Sequence, residues 1–149
     1  MILLSHRSLL ALAAVADIAL YARPQPVAAK ALAGRLNLPP RHLETLLQTL
    51  VRANILKGVR GPRGGYELAR ERRRISAAEI VRAVMADTAD EPAEAQESRF
   101  VNLIIGPIVE QAAQAFLTEL EAVTVDDICQ RANDKKIFSD DSAHPDFTI

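Results

Sequence analysis

The sequence contains little cysteine and few aromatic residues, and each scarcity excludes a class of protein. Cys129 is the one cysteine among 149 residues, so no disulfide can form within the chain and no oxidising compartment is implied. Tryptophan is absent, and aromatic residues make up 4% of the chain. The core must therefore be built from leucine, alanine, valine and isoleucine, which favours helices over a β-sandwich or barrel.

The sequence motifs of common enzymes are also missing. The three histidines are scattered, and there is no HExxH motif, phosphate-binding loop or nucleotide fingerprint. No segment approaches the ~18 uninterrupted apolar residues of a membrane span. The apolar N-terminal stretch is interrupted by Arg7 and Asp17 and has helical spacing, so a signal peptide is the weaker interpretation. We therefore expect a cytoplasmic protein that is not an enzyme.

Charge divides the chain into two halves of opposite sign. Residues 1–86 contain 14 Lys or Arg and 5 Asp or Glu, a net charge of +9. Residues 87–149 contain 4 and 14, a net charge of −10. A basic half next to an acidic half favours a polyanion-binding module joined to a different one. Two ordinary solvated surfaces of opposite sign are the alternative.

Apolar residues recur with helical spacing in three segments of the basic half. The first predicted helix covers about residues 8–21, and the second about residues 27–36, with Asn37 in a left-handed conformation after it. The third runs from Pro40, which suits the first position of a helix, to about Asn54. The predicted buried stripe of the first helix consists of Leu9, Leu12, Ala13, Ala16 and Leu20.

The third predicted helix has an apolar face and a polar face. Its polar face carries Arg41, Glu44, Thr45, Gln48 and Arg52. Two helices joined by a short turn, the second with a hydrogen-bonding outer face, form the helix-turn-helix pattern of DNA-binding proteins. An ordinary amphipathic surface helix has the same pattern, so both interpretations stay open at this point. The apolar face consists of Leu43, Leu46, Leu47, Leu50 and Val51.

A predicted β-hairpin follows the third helix directly. Residues 55–59 and 66–69 have the composition of short strands, and the turn between them contains three glycines. A hairpin in this position is the wing of a winged helix. Arg60 at the base of the turn and Arg63 at its tip would suit a narrow minor groove, where the potential is most negative. The alternative is a surface hairpin with solvated arginines. The positive run continues through Arg70, Arg72, Arg73 and Arg74.

The remaining sequence predicts a fourth helix, a linker and a helical C-terminal region. Ser76 and Glu79 form a capping box at the start of a helix that reaches about residue 85. Residues 87–97 read as an acidic linker. Residues 98–132 are helical, with either a kink or a break between two helices expected at Gly106-Pro107. This region also has a capping box at Thr124 and more apolar residues than a lone solvated helix needs. We expect this region to mediate dimerisation, and residues 133–149 to be a disordered tail.

The hairpin sequence resembles one bacterial family. The segments at residues 59–62 and 64–69, with those at 75–76, 79–80, 82–84, 116–117 and 123–128, resemble the IscR, NsrR and CymR family of winged-helix regulators, also called the Rrf2 family. The resemblance covers residues 3–132. It implies a mainly α fold with a small β-wing, in which residues 1–86 form a winged helix-turn-helix domain followed by a long dimerisation helix.

The resemblance also implies DNA-binding residues. Arg60 would enter the minor groove, while Arg41, Glu44 and Thr45 would face base edges in the major groove. Gln48 joins them from the helical geometry, and Arg63 from its place at the tip of the wing. Thr45 stands where some members have glutamine, so this operator should differ from theirs. Pro39 replaces the usual small polar residue before the helix.

One departure from the family concerns its cofactor. Many members have three cysteines between the fourth helix and the dimerisation helix, and these bind an iron–sulfur cluster. This chain has no cysteine there, and Cys129 alone cannot supply the thiolates, so we expect a cluster-free branch without a cofactor. We expect Cys129 to be a buried apolar residue; a redox switch is the alternative.

The expected function is sequence-specific transcriptional regulation. The chain should bind double-stranded DNA at a palindromic operator as a homodimer and act as a repressor, in response to a protein partner, a small molecule or its own concentration. The alternative is a dimeric protein-interaction adaptor that kept the winged-helix fold but no longer reads DNA. Loss of DNA binding on neutralising Arg60 would separate the two.

Overall fold

Helices dominate the part of the chain that this computed structural model describes, residues 4–88 and 98–137. The described helices and strands are α1 (His6–Tyr21), α2 (Ala29–Leu36), α3 (Pro40–Arg52), β1 (Leu56–Val59), β2 (Gly65–Leu68), α4 (Ala77–Thr88), α5 (Gly106–Glu121) and α6 (Val125–Asp134). A 3-10 turn at Arg72–Arg74 precedes α4, and a π-helical turn at Val101–Ile105 leads into α5. The mainly helical fold with a small β-wing is thus confirmed. No helix among the described residues is long and apolar enough to cross a membrane.

Helix α1 lies at the centre of the fold and is buried on several sides. It packs against α2, α3, α4, α6 and β2. Of the predicted stripe, Ala16 alone is fully buried, whereas Leu9, Leu12, Ala13 and Leu20 are half-buried. The residues buried instead are Ser8, Ala11, Ala14, Val15, Asp17, Ile18 and Ala19. The stripe prediction was therefore only partly right, although Leu12 and Leu20 do pack against the core. A helix surrounded by neighbours has no single core face, and small alanines let those neighbours approach closely.

A buried ion pair joins α1 to α2. Both carboxylate oxygens of Asp17 accept hydrogen bonds from the Arg35 guanidinium, at 2.8 Å each, and Asp17 is fully buried. The guanidinium also stacks 4.1 Å from the centre of the Tyr21 ring. Bidentate pairing of this kind compensates the desolvation of a buried carboxylate. The pair fixes the first helix of the helix-turn-helix against the core.

The helix-turn-helix itself matches the sequence prediction closely. Asn37 has φ 54° and ends α2 in the left-handed conformation. Pro40 begins α3, whose leucines at positions 43, 46, 47 and 50 are buried. Helix α2 starts two residues later than predicted, because Val27 forms a β-bridge with Tyr66 instead of a helical turn.

That bridge adds a third strand segment to the wing. Strands β1 and β2 pair antiparallel, with Lys57 opposite Glu67. The amide of Val27 donates to the carbonyl of Tyr66 at 2.9 Å, and the amide of Tyr66 donates back at 2.8 Å. Gly65 has φ 156°, and a Cβ there would overlap the Val27 carbonyl. Only glycine therefore lets the hairpin lie this close to the start of α2.

The bounds of the C-terminal elements differ from the predicted bounds. The Ser76–Glu79 capping box is present, but α4 runs to Thr88, so residues 87 and 88 belong to a helix and not to the predicted linker. Residues 89–97, the rest of that linker, lie outside the described residues. The chain stays helical at Gly106, so no break into two separate helices occurs there. A π-helical turn at Val101–Ile105 nevertheless lies directly before Gly106-Pro107, where Pro107 has no amide to donate.

Helix α6 closes the fold against α1. Thr124 and Asp127 form the predicted capping box, with hydrogen bonds of 2.9 and 3.1 Å. The hydrogen bond from Thr124 lowers the pKa of Asp127 below its ordinary value. The helix ends at Asp134, two residues into the predicted tail, and the part of that tail from residue 138 on lies outside the described residues. Cys129 is fully buried, as expected for an apolar position.

Candidate nucleic-acid interface

The outer face of α3 presents the four side chains that the sequence singled out. Arg41, Glu44, Thr45 and Gln48 are all exposed, on the side opposite the buried leucines. Pro39 precedes the helix without a side-chain cap. The first-turn amides therefore have no capping side chain and can bind water or an anion. Exposed hydrogen-bond donors and acceptors beside the positive end of a helix suit nucleic acid, a polyanion whose base edges also form hydrogen bonds.

The wing presents two further arginines on a narrow loop. Arg60 and Arg63 are both exposed. The loop turns tightly, with the amide of Gly64 donating to the carbonyl of Gly61 at 2.9 Å. A Cβ on Gly64 would overlap the carbonyl of Val59, so the turn depends on glycine. The loop is thus small enough to enter a groove with its guanidinium groups leading.

Three arginines of this surface have no carboxylate partner among the described residues. Within residues 4–88 and 98–137, Arg41, Arg60 and Arg63 form no ion pair. Lys57 and Glu67, in contrast, neutralise each other across the two strands at 2.9 Å. The start of α3 and the wing loop therefore both carry positive charge that is available to a partner.

The arginine run after the hairpin has a structural role that the sequence analysis missed. Arg70 pairs with Glu79 at 3.0 Å and donates to the carbonyl of Asn54 at 3.2 Å. Burial raises the pKa of Glu79, but hydrogen bonds from Ser76 and Arg70 outweigh it and leave that pKa lowered. Arg72 pairs with the buried carboxylate of Asp126 at 2.7 Å. These two arginines join α4 and α6 to the domain, so they are not free cations for DNA.

A polar cluster behind α3 was also missed. Asp87, in the last turn of α4, accepts hydrogen bonds from Arg7, Thr49 and Arg52. The available signal was Thr49, a polar residue at helical spacing among buried leucines, which is 4% exposed. The role of Asp87 could not be predicted from the sequence, because Asp87 is the first residue of the acidic stretch that we assigned to a linker.

The C-terminal segment exposes a continuous set of large apolar side chains. A helix with an apolar face that nothing covers commonly marks a protein contact surface. Arg82 of α4 pairs with Glu121 of α5 at 2.7 Å and connects this segment to the winged-helix domain. The exposed side chains, which we call the α5 face, are Phe100, Leu103, Ile104, Ile108 and Val109, each between 50% and 63% exposed.

The residues present do not fit a cysteine-ligated iron–sulfur cluster. Such a cluster needs several thiolates, and the sequence supplies one. Burial raises the pKa of the Cys129 thiol, and its Sγ lies 3.9 Å from the carbonyl oxygen of Ala16 in the core. Among the residues the structure describes, no three or more His, Cys, Asp or Glu side chains group as metal ligands.

Comparisons with known proteins extend along most of the chain. The sequence profile described as "Rrf2: Iron-dependent Transcriptional regulator" matches residues 4–131. A Synechocystis sp. protein named as an HTH-type transcriptional regulator is 32% identical over 126 residues, covering 84% of this chain and 86% of the relative. Protein rrf2 of Nitratidesulfovibrio vulgaris is 29% identical over 122 residues, covering 78% and 80%.

Solved structures show the same fold. T. potens IscR superimposes with a TM-score of 0.68 at 28% identity, covering 87% of each chain. CymR, the global cysteine regulator of B. subtilis, gives a TM-score of 0.65 at 25% identity, covering 88% of this chain and 98% of its own. The similarity therefore includes both the hairpin region and the C-terminal helices.

Proposed function

The chain belongs to the Rrf2 family of transcriptional regulators, and from that premise we propose that it represses transcription by binding a palindromic operator as a homodimer. The family and the relatives are regulators, not enzymes. The observation that carries the proposal is the polar face of α3 beside a wing whose arginines have no ion-pair partner among the described residues. Because its target is the bacterial chromosome, we place the protein in the cytoplasm.

The exposed side chains of α3 suit different bases. Arg41 suits the paired acceptors of guanine, Glu44 can accept from the amino group of cytosine, and Gln48 suits adenine. Thr45 can donate or accept. Arg60 and Arg63 act differently, because a guanidinium in a narrow minor groove responds to groove width and potential more than to base identity.

The α5 face supports the homodimer. Its side chains would be buried if two copies packed these helices together, and their exposure in a single chain is unfavourable. A two-fold dimer presents two identical α3 helices and two wings, so its operator must be an inverted repeat.

DNA binding is proposed to proceed without an iron–sulfur cluster. The single buried cysteine cannot hold one, although the family description names iron. Without a cluster, occupancy of the operator would be controlled by a protein partner, a small molecule or the protein's own concentration.

Selection of genomic fragments tests this function. Metal-free protein is mixed with fragments of its own genome, including its own promoter, and the selected fragments are titrated at two salt concentrations. We expect saturable binding to an inverted repeat, weakened steeply by salt. Arg60→Ala should weaken it about tenfold or more. Arg131→Ala removes the same charge from the exposed surface of α6 and should leave binding nearly unchanged.

The adaptor function predicts a different result. If no fragment is preferred over bulk DNA, and wild type and Arg60→Ala behave alike, the winged helix does not read DNA. Partners would then be sought among proteins.

A further inference from the structure

The carboxylate of Asp87 is the meeting point of three helices. Its Oδ2 accepts hydrogen bonds from Nη2 of Arg7 at 2.8 Å and from Oγ1 of Thr49 at 2.9 Å. Its Oδ1 accepts from Nη2 of Arg52 at 3.3 Å. One side chain in the last turn of α4 thus binds the start of α1 and two positions near the end of α3.

Thr49 is the buried member of this cluster. Its hydroxyl has one proton and two acceptors in reach, Asp87 at 2.9 Å and the carbonyl of Thr45 at 3.1 Å. An ionised carboxylate is the stronger acceptor, so the proton goes to Asp87. Without Asp87 the hydroxyl would turn back onto its own helix. The connection between α3 and α4 at this point therefore depends on the carboxylate.

The charges around Asp87 keep it ionised. The hydrogen bond from Thr49 lowers its pKa, partial desolvation raises it, and Arg7 and Arg52 lower it further, for a net decrease. Arg52 is 66% exposed and Arg7 is 33% exposed, so the pair with Arg7 is the less screened of the two. Thr49 and Arg7 are consequently the partners that hold the helices in place.

The position of the cluster gives it a consequence for DNA binding. Thr49 directly follows Gln48, the last base-reading position on α3, and Arg52 lies one turn further along the helix, while Asp87 is the penultimate residue of α4. We propose that Asp87 is a positioning residue for operator recognition: its carboxylate fixes the C-terminal half of α3 against α1 and α4. The inference rests on the proposed DNA-binding function. Operator specificity then depends on the last turn of α4, where the winged-helix domain ends.

The first test compares two variants that each neutralise one carboxylate. Asp87→Asn preserves the shape of the side chain, but its neutral amide cannot accept the hydrogen bonds of two guanidinium groups and a hydroxyl. We expect its operator Kd to rise about fivefold to tenfold. Binding to bulk DNA should stay equal or become tighter, because Arg7 and Arg52 lose their counter-charge. Glu121→Gln breaks the Arg82 pair between α4 and α5, does not touch α3, and should leave the specificity ratio unchanged.

A second variant separates positioning from general stability. Thr49→Val removes the hydroxyl at nearly constant volume and should lower the specificity ratio in the same direction. The Asp87→Asn/Thr49→Val double variant should lose less than the sum of the single losses, because both changes break the hydrogen bond between Thr49 and Asp87. An unchanged specificity ratio in Asp87→Asn, or equal losses of operator and bulk-DNA binding that follow the folded fraction, would overturn the proposal.

A DNA-free measurement distinguishes failure of this inference from failure of the proposed function. Hydrogen exchange is measured on the backbone amides of residues 45–52 in wild type, Asp87→Asn and Glu121→Gln. Faster exchange in Asp87→Asn alone supports positioning of α3, even if wild type prefers no fragment and the DNA-binding function fails. Equal exchange in all three proteins contradicts it.

Discussion

The winged-helix domain and the helical segment after it differ in how far their large apolar side chains are buried. In residues 4–88 the large apolar side chains are mostly buried, and Met85 is the one among them that is about half exposed, at 49%. In residues 98–137 Leu117 and Val125 are buried, while five large apolar residues of the α5 face are at least half exposed. The core of the first region also includes Val125 and Cys129 of α6, whereas the α5 face is left uncovered among the described residues, as is typical of a protein contact surface.

The two regions differ in charge as well as in burial. Among the described residues, the domain presents arginines without an ion-pair partner on α3 and the wing, which suits a polyanion. Arg72 and Asp126 join the regions through a partly buried ion pair at 2.7 Å. In the proposed function, the domain recognises the operator and the segment provides the second copy that a palindrome requires. Three variants challenge this division, in order of decreasing effect.

The largest effect is expected from a charge on the α5 face. Ile108→Glu places a carboxylate where two copies would meet, and unpaired burial of that charge should prevent dimerisation. We expect a monomer by light scattering and a loss of operator affinity of about hundredfold or more, since a single half-site remains. Gln114→Glu adds the same charge at a polar exposed position of α5 and should stay dimeric. A dimeric Ile108→Glu protein with normal affinity would contradict the assigned role of the segment.

An intermediate effect is expected from a methyl group in the wing. Gly65→Ala puts a Cβ into the Val27 carbonyl at φ 156° and should lower the free energy of unfolding by about 2 to 3 kcal/mol. Gly58→Ala, in the facing strand, meets open space and should change it little. Chemical denaturation of the two variants measures the difference. Equal stabilities would mean that the wing does not pack against the start of α2 as described.

The smallest effect concerns pH and the capping of α4. Because the pKa of Glu79 is lowered from its ordinary value of 4.5, its stabilisation is present above that pH and is lost as the pH falls through the folded-state value. Glu79→Gln should therefore reduce the decrease in melting temperature on acidification below about pH 4.5. Glu71→Gln, at a 73% exposed carboxylate, should keep the wild-type pH profile. Parallel profiles for all three proteins would exclude a contribution from the Glu79 cap.

Local features of this fold could be predicted from the sequence because they arise within a few residues. The Ser76 and Thr124 capping boxes, the left-handed Asn37 and the glycine turn of the wing all depend on short-range chemistry. The polar face of α3 could be predicted because helical geometry alone separates it from the leucines. The family followed from the hairpin sequence, and the sequence profile confirms it.

Features that depend on distant parts of the chain could not be predicted. The burial of α1 reflects five packing partners, which periodicity cannot represent. From the sequence, Arg70 and Arg72 belonged to a run of positive charge. The structure shows that they pair with Glu79 and Asp126. Asp87 read as a linker residue because Thr49 is 38 residues away in sequence. In each case the side chain could be identified from the sequence, but its partner could not.

The proposed function requires two copies of this chain to recognise an inverted repeat without an iron–sulfur cluster. It can be tested by the stoichiometry and Kd of the operator complex, measured on protein purified with chelator and again after incubation with iron and sulfide. We expect two chains per duplex and the same Kd in both preparations. Operator binding that appears only after iron and sulfide are supplied, or one chain per duplex, would contradict it.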